Sequence, residues 1–586
     1  MRQWMVAAKK ADFYAIAEKF HVDPVVARII RNREVIGEKN IRIYLGGNLS
    51  DLSDPHQMKD MDRLVEILAQ KIRKQVRIRI IGDYDVDGVT SSHLFLTALR
   101  RVGAKVDVVI PHRIQDGYGL SLHLLQQAKE DGVDTILTCD NGIAAIDEIA
   151  WAKAQKMTVL VTDHHAVPFE EHEGRRTEKK SLADAVVNPH QQDCGYPYKE
   201  LCGAGVAWNV IRVLYENYDM DKREAEDLLD FVAMATVCDV MSLTGENRIL
   251  VKEGLKRIRH TKNIGLQALM QACNVQPENI SAYHFGYVLG PCVNATGRLD
   301  TARHALWLFE TGQETEAEEI ARDLVDLNQE RKELTLQGVE MAKKLCEEGG
   351  YENDPVLVLF LPDVHESIAG LIAGRIREMY NRPVFVLTRG EEGVKGSGRS
   401  TENYSMYENM CGCAELFTKF GGHPMAAGLS LPEENVEKFR RKINENCPLT
   451  VEEVCPDIHI DMAMPVGYAS TELVHQFALL EPFGKDNPSP LFADRNLSIS
   501  RMWVIGKNRN VLRMSVLSEY GQPVPVIFFG DVETLFAYFT EKFGQEEVEN
   551  ALHGRKNRIL FSMVYTAKID FYQGNENLQL EMKYYR

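Results

Sequence analysis

The chain has 586 residues, 45% of them apolar, and carries a net charge of −17 from 68 basic and 85 acidic side chains. That length exceeds what one hydrophobic core supports, so roughly three or four domains are expected. The composition suits a folded protein, no apolar run reaches the length of a membrane span, and the acidic balance excludes a uniformly basic nucleic-acid-binding surface; phosphate contacts would have to come from local basic clusters or bound cations.

Residues 1–55 read as a helical leader that ends in LSDPHQM, and the start MRQWMVAAKKADF lacks a signal-peptide pattern, so the cytoplasm is the expected compartment. Residues 56–260 alternate β-branched runs, VRIRII at 76–81, DTILT at 134–138 and MTVLV at 157–161, with helical patterns such as SSHLFLTALRRV at 91–102 and AAIDEIAWAKAQK at 144–156. That alternation predicts parallel βαβ units. A helical connector follows over 261–350, whose charged stretch at 315–349 is long enough to join two lobes. Residues 351–450 restart the α/β pattern with PVLVLF, PVFVLT and a helix from Ser367 to Tyr380. Residues 451–586 are rich in short strands such as VPVIFFG and FSMVYTAKI. Eleven cysteines without paired zinc spacing argue for reduced thiols.

Four turns carry the chemistry: GDYDVDG at 82–88, CDNG at 139–142, TDHH at 162–165 and CDV at 238–240. Three of them follow predicted parallel strands, whose carboxyl ends bring distant residues into one crevice. If the first loop leaves its strand in extended form, Asp83, Asp85 and Asp87 share a face, and such crowding is costly without a cation. A DG turn alone is an ordinary solvated loop. Calcium of the EF-hand type is excluded, because Leu94 stands where the loop's glutamate belongs. Asp140 and the pair His164 and His165 add donors; one imidazole is expected to ligate while its neighbour contacts substrate. Asp239 ends a predicted buried helix, LLDFVAMATVC at 228–238, where an acid needs a partner. In GGHPMAAG at 421–428, Gly421 and Gly422 let backbone approach a phosphate, with His423 as a donor. Basic clusters occur at 71–79, 437–442, 501–513 and 554–558, each an ordinary solvated face by itself; the third includes Trp503, which suits base stacking.

These motifs in this order closely resemble the DHH phosphoesterase superfamily, in which a DHH domain precedes a smaller DHHA1 domain. IPHRIQDGYG at 110–119, NATGRL at 294–299, HESIAGLIAGRI at 365–376, KGSGRS at 395–400 and LEPFGKDNPSP at 480–490 look like its RecJ branch, the single-strand-specific 5′-to-3′ DNA exonucleases. The resemblance covers roughly residues 40–586. It implies an α/β architecture: a parallel-sheet DHH domain, a long connecting helix, a smaller α/β DHHA1 domain and a C-terminal barrel of the oligonucleotide-binding (OB) type. It further implies release of 5′-mononucleotides by two divalent ions, Mn2+ preferred over Mg2+, in DNA repair and recombination.

By the same resemblance Asp140 would bridge two ions roughly 3.5–4 Å apart. Asp85 would serve one ion and Asp87, His164 and Asp239 the other, with Asp83 supporting the loop. Asp163 would orient a histidine, and His165 would contact the scissile phosphate. Arg113, Ser397 and Arg399 would form a 5′-phosphate pocket, with Arg298 near DNA. The implied partners are single-stranded DNA, a single-strand-binding protein and a RecQ-type helicase, with no membrane. Departures from the family pattern are Ile81, where many members place a histidine ligand, and Asp486 and Ser367 where glycine is common. Two other classes are weighed against this: a phosphodiesterase for very short oligonucleotides, which needs no C-terminal barrel, and a silent DNA-binding scaffold, which would have lost its acids.

Overall fold

The computed structural model describes residues 3–586 apart from 114, 115, 118, 173, 174, 352, 391, 392, 507–509 and 573. The chain divides into two compact units, one built from 52–241 and 249–456, the other from 3–51, 242–248 and 457–586.

The first unit opens with a five-stranded, all-parallel sheet of β1 (Arg77–Ile81), β2 (Lys105–Val109), β3 (Thr135–Cys139), β4 (Thr158–Thr162) and β5 (Ala185–Val187), in the order β2-β1-β3-β4-β5. β3 is buried throughout, and β1 and β4 are buried beyond their first residue, which explains their richness in Ile, Leu and Val; the buried Arg79 of β1 is paired with Asp107 at 2.7 Å. The first helix, α1 (Val86–Arg101), begins five residues before the predicted 91 and carries Asp85 as its N-cap, with the carboxylate accepting from Gly88 N at 3.0 Å. Helices α2 (Gly203–Asn217) and α3 (Leu229–Cys238) are almost wholly buried. The connector includes α4 (Gly290–Leu299) and the 35-residue α5 (Glu314–Glu348), which packs on α4.

The same unit ends in a second sheet: β6 (Leu357–Phe360), helix α6 (Glu366–Tyr380), β7 (Val384–Gly390), β8 (Gly393–Arg399), β9 (Lys419–His423) and β10 (Ala426–Leu431), in the order β9-β10-β8-β7-β6. Only β6 and β7 run parallel. Residues of β8 and β10 alternate, so Val394, Ala427, Leu429 and Leu431 lie in the core while Lys395, Ser397, Ala426, Gly428 and Ser430 line the opposite face.

In the second unit the strands Phe492–Ile505, Val511–Leu517, Pro523–Phe529, Asn575–Tyr585 and Leu560–Tyr572 pair in that order, and the last pairs back to the first. The order 1-2-3-5-4-1, with helix Val532–Phe543 between the third and fourth strands, is that of an OB barrel. The helices Phe13–Phe20, Pro24–Asn32 and Glu38–Gly46 contribute Ala17, then Val26, Ile29 and Ile30, and then Tyr44 to the barrel's hydrophobic core. Arg248 is buried here, its guanidinium donating to the carbonyls of Tyr44, Leu479 and Leu480 at 2.8–2.9 Å. Asp486 has φ 59, a left-handed conformation that suits the glycine the family resemblance leads one to expect there. Among the described residues no helix is long and apolar enough to cross a membrane.

Candidate metal centre and phosphate cleft

The acidic turns leave the carboxyl ends of β1, β3 and β4, as their order in the sheet requires, and they meet. Oxygens of Asp83, Asp85 and Asp140 approach within 4.8 Å of one another, and so do donor atoms of Asp87, His164 and Asp239 and of Asp140, His164 and His165. His164 Nε2 sits 3.1 Å from Asp140 Oδ1 and 3.6 Å from both Asp87 Oδ2 and Asp239 Oδ2. Asp239 is the C-cap of α3. The expected metal ligands Asp83, Asp85, Asp87, Asp140, His164 and Asp239, together with His165, therefore gather in one cluster, with Asp140 and His164 at its centre.

The first loop differs from the extended strand expected for DYDVDG. The chain turns into α1 at Val86, so Asp83 lies in the turn, Asp85 caps the helix and Asp87 sits in its first turn. A Cβ on Gly88 would fall 2.5 Å from the backbone of Asp83, so the turn closes only around glycine. Asp140 has φ 62, a left-handed conformation stabilised by Asn141 Nδ2, which donates to the carbonyls of Ile81 and Cys139 at 3.0 and 2.9 Å.

Burial raises the carboxyl of Asp140 well above the ordinary range, and the surrounding charges of Asp87, Asp85, Asp239 and Asp83 raise it further. Asp83 is likewise raised, by burial and then by Asp85, and both its oxygens are buried without a hydrogen-bond partner. Burial lowers the His164 imidazole, favouring its neutral, ligating form. Buried acids that repel one another beside a neutral imidazole are a donor set for cations, so the residues fit divalent metal ions of the Mn2+ and Mg2+ class. Ile81 is packed into an apolar cluster with Leu120, Leu124 and Ile136, and Asp83 supplies the nearest ionisable group of that loop.

Asp163 turns away from the cluster. Its Oδ1 accepts from His164 N, His165 N and His165 Nδ1 at 2.7, 3.0 and 2.8 Å, and its Oδ2 accepts from Ile143 N at 2.9 Å. It is a positioning residue. Burial works against the charge of both partners, yet their hydrogen bond prevails, lowering Asp163 and raising His165 to about 9. Asn188 at the end of β5 fixes His165 from the other side through its carbonyl, 2.9 Å away.

Sequence reasoning missed the N-terminus of α2. Gly203 N and Ala204 N donate to the two oxygens of Asp87 at 2.6 and 2.7 Å, and a Cβ on Gly203 would meet that of Asp140 at 2.6 Å. The signal was present as CGAG before a long apolar helix, a glycine-bearing helix start that suits an anion. Asn294 of α4 was also missed; it accepts from Val86 N at 3.2 Å.

Beside the metal cluster lies a cleft of about 430 Å³ lined by Tyr84, Arg113, Ser367, Ser397, Gly421 and Gly428, among others. Arg113 stacks over the Tyr84 ring at 4.6 Å. Arg298, at the end of α4, donates to the Ser367 carbonyl at 2.7 Å, so Ser367 bears on the site through its backbone. Burial lowers Arg298 to about 9, and the like charges of Arg113, Arg331 and Arg399 contribute. Arg399 is lowered by burial and by Arg377 and Arg113. Converging, desolvated guanidiniums of this kind suit a phosphate. Register places His423 in a row with Ala426 and Arg399 on one face of the sheet, but the imidazole is exposed and does not line the cleft. Gly421 faces open space, whereas a Cβ on Gly422 would strike Ala426 O at 2.5 Å, so Gly422 closes the hairpin. Ile114, Gln115 and Tyr118 of the motif at 110–119 lie outside the described residues.

The other basic clusters are largely paired. Arg77 and Arg79 meet Asp107, Arg440 meets Asp354, and Arg558 meets Glu547. Trp503 is 39% exposed on the barrel, directly opposite Arg513 and 5.8 Å from the Arg501 guanidinium. Lys507, Asn508 and Arg509 of that segment lie outside the described residues.

Comparison with known proteins locates these features in one lineage. Residues 77–236 match the DHH family N-terminal domain, 353–447 the DHHA1 domain and 460–584 the RecJ OB domain. The chain is 32% identical to the single-stranded-DNA-specific exonuclease RecJ of Haemophilus influenzae over 96% of both chains, and 32% identical to that of Escherichia coli over 95% of both. Its 33% identity to the Bacillus subtilis protein of the same name spans 87% of this chain and 63% of that protein. The crystal structure of RecJ in complex with Mn2+ from Thermus thermophilus superposes with a TM-score of 0.81 at 25% identity, covering 100% of this chain and 79% of that one.

Proposed function

The chain belongs to the RecJ family, and on that premise we propose that it is a metal-dependent exonuclease that digests single-stranded DNA from the 5′ end and releases 5′-mononucleotides. The observation that carries the reading is the contiguity of two sites within one unit, a cluster of mutually repelling acids around His164 and, beside it, a cleft lined by Arg113 and Ser397 with Arg298 and Arg399 next to it. Asp83, Asp85, Asp87, Asp140, His164 and Asp239 would hold two divalent ions, Mn2+ or Mg2+, which when bound supply Lewis-acid charge to the phosphodiester and acidify water.

The protein's own groups set the direction of attack. Arg113, Arg399 and Ser397 hold the terminal 5′-phosphate, while Arg298 orients the strand between cleft and cluster. Asp163 holds the His165 Nδ1 proton, which leaves the other ring nitrogen to contact the scissile phosphate and to donate to the departing 3′ oxygen. On the barrel, Trp503 offers a ring face for a base, with Arg501 and Arg513 for phosphates. The barrel favours a strand over a dinucleotide as substrate. The cytoplasm is the proposed compartment, and a single-strand-binding protein and a RecQ-type helicase are the proposed partners, on family grounds; co-purification of neither partner would remove that last proposal.

The decisive assay follows a 5′-phosphorylated single strand, labelled separately at each end, with Mn2+. Mononucleotides are expected from the 5′ label first, with no product from duplex or after chelation; cleavage confined to dinucleotides would replace the reading with a short-substrate phosphodiesterase. For Trp503→Ala, loss of one stacking contact worth about 1–3 kcal/mol predicts KM for a long strand raised roughly 5- to 140-fold with kcat little changed. Equal KM values would remove Trp503 from the DNA path.

A further inference from the structure

The cleft is larger than one terminal phosphate needs. At about 430 Å³ it falls in the range of sites that hold a whole small molecule, roughly 300–1,000 Å³. Strand register shows how that space is furnished. Directly paired residues on antiparallel strands share a face, so one face of the second sheet carries three rows across β8, β10 and β9: Arg399, Ala426 and His423; then Ser397, Gly428 and Gly421; then Lys395, Ser430 and Lys419, of which the second and third line the cleft. The middle row is a trough without bulky side chains. The outer row places two lysines on either side of a serine hydroxyl, two residues along each strand from the trough, or about 6.7 Å.

The rows have a direction. A Cβ on Gly297 would fall 2.4 Å from the carbonyl oxygen of Tyr84, the residue before Asp85, and the adjacent Arg298 donates to the Ser367 carbonyl of α6 at 2.7 Å; further along that helix a Cβ on Gly370 would meet the Arg399 guanidinium at 2.9 Å and Ser397 Cβ at 3.5 Å. From the metal cluster outward, the sequence is therefore Asp85, Arg298, Arg399, Ser397 and finally Lys395 with Lys419. An end phosphate seated at Arg399 and Ser397 leaves the lysine row beyond it, on the side away from the scissile bond. Lys395 is tied to Glu366 at 2.8 Å, whereas Lys419 makes no ion pair among the described residues. Phe420, the aromatic residue between Lys419 and Gly421, packs against Phe417 and Tyr407 on the other face, so the outer row presents charge and hydroxyl.

We propose that the row of Lys395, Ser430 and Lys419 is a subsite for additional 5′-phosphates, which admits strands ending in a 5′-triphosphate as substrates. This rests on the exonuclease reading above. The chemistry of cleavage is unchanged: water adds to the phosphorus between the first and second nucleotides, the bond from that phosphorus to the 3′ oxygen breaks, and the 3′ oxygen takes a proton. The first product is then a nucleoside 5′-triphosphate, and the shortened strand carries an ordinary 5′-monophosphate into the next cycle.

The test compares first-cleavage kcat/KM on one DNA sequence ending in 5′-hydroxyl, 5′-monophosphate or 5′-triphosphate, for the wild-type protein and for Lys395→Ala/Lys419→Ala, with the first product identified by mass spectrometry. Two partly exposed ion pairs predict about a tenfold preference for triphosphate over monophosphate in the wild type. In the double variant that preference disappears while the monophosphate rate stays within about twofold. A triphosphate end that is blocked or cut no faster than a monophosphate overturns the subsite, as does a double variant that loses both activities equally. Failure on every 5′ end would instead overturn the exonuclease reading itself.

Discussion

Replacing Asp140 with Asn is expected to reduce strand hydrolysis by at least about 10³-fold while making the metal-free protein more stable. Lewis-acid stabilisation of a phosphoryl transition state is worth several kcal/mol, and each 1.36 kcal/mol is tenfold in rate. Asp140 is the acid shared by two of the three donor sets, so its loss affects both. The stability change has the opposite sign. Because Asp140 is held well above its ordinary pKa, first by burial and then by four neighbouring carboxylates, its ionisation opposes folding. A carboxyl raised in the folded state contributes stability that is complete below its unfolded value and is lost as pH rises through the folded value. At neutral pH the metal-free native state therefore carries an electrostatic penalty that an isosteric amide removes.

Thermal unfolding with and without Mn2+ checks both halves. The wild type should gain stability on adding metal, by about 2.7 kcal/mol at one hundred times its Kd. The variant should start from a higher metal-free Tm and gain little. A variant that keeps its activity, or a metal-free Tm below that of the wild type, would show that Asp140 is a structural acid with a partner of its own.

Replacing both Arg113 and Arg399 with Ala should abolish discrimination between 5′-phosphate and 5′-hydroxyl ends. Truncating one partner of a buried, hydrogen-bonded charge pair costs about 2–5 kcal/mol, so kcat/KM on a 5′-phosphorylated strand should fall roughly 30- to 4,000-fold, with a small change on a 5′-hydroxyl strand. Lysine at 399 should restore little, because an ammonium cannot offer the planar pair of donors. Burial and the like charges of Arg377 and Arg113 lower Arg399, so removing the charges at 113 and 399 should leave the variant folding at least as well as the wild type. Steady-state rates on the two ends, read beside Tm, separate this outcome from a folding defect. Equal losses on both ends would make the cluster a general strand-binding surface.

The sequence by itself determined the local elements and the inventory of the site. Buried parallel strands leave runs such as RIRII and TILTC, helices leave a 3.6-residue period, and the acids fall where such strands end. That Asp83, Asp85, Asp87, Asp140, His164 and Asp239 come together was legible for that reason, and the α/β architecture with its barrel followed from the same patterns and the family resemblance. Three things were decided only in three dimensions. The DYDVDG loop folds into a helix at Val86 because Asp85 caps it and Gly88 lets Asp83 approach, a choice that alternation along the chain does not encode. Asp87 is held by amides of Gly203 and Ala204, and Val86 by Asn294, partners more than a hundred residues away in sequence. The three rows across β8, β10 and β9 depend on strand register, which sequence period leaves open and pairing fixes. Periodicity records which face a residue buries; which distant groups share that face is settled by strand order and pairing, and those follow from packing the whole chain.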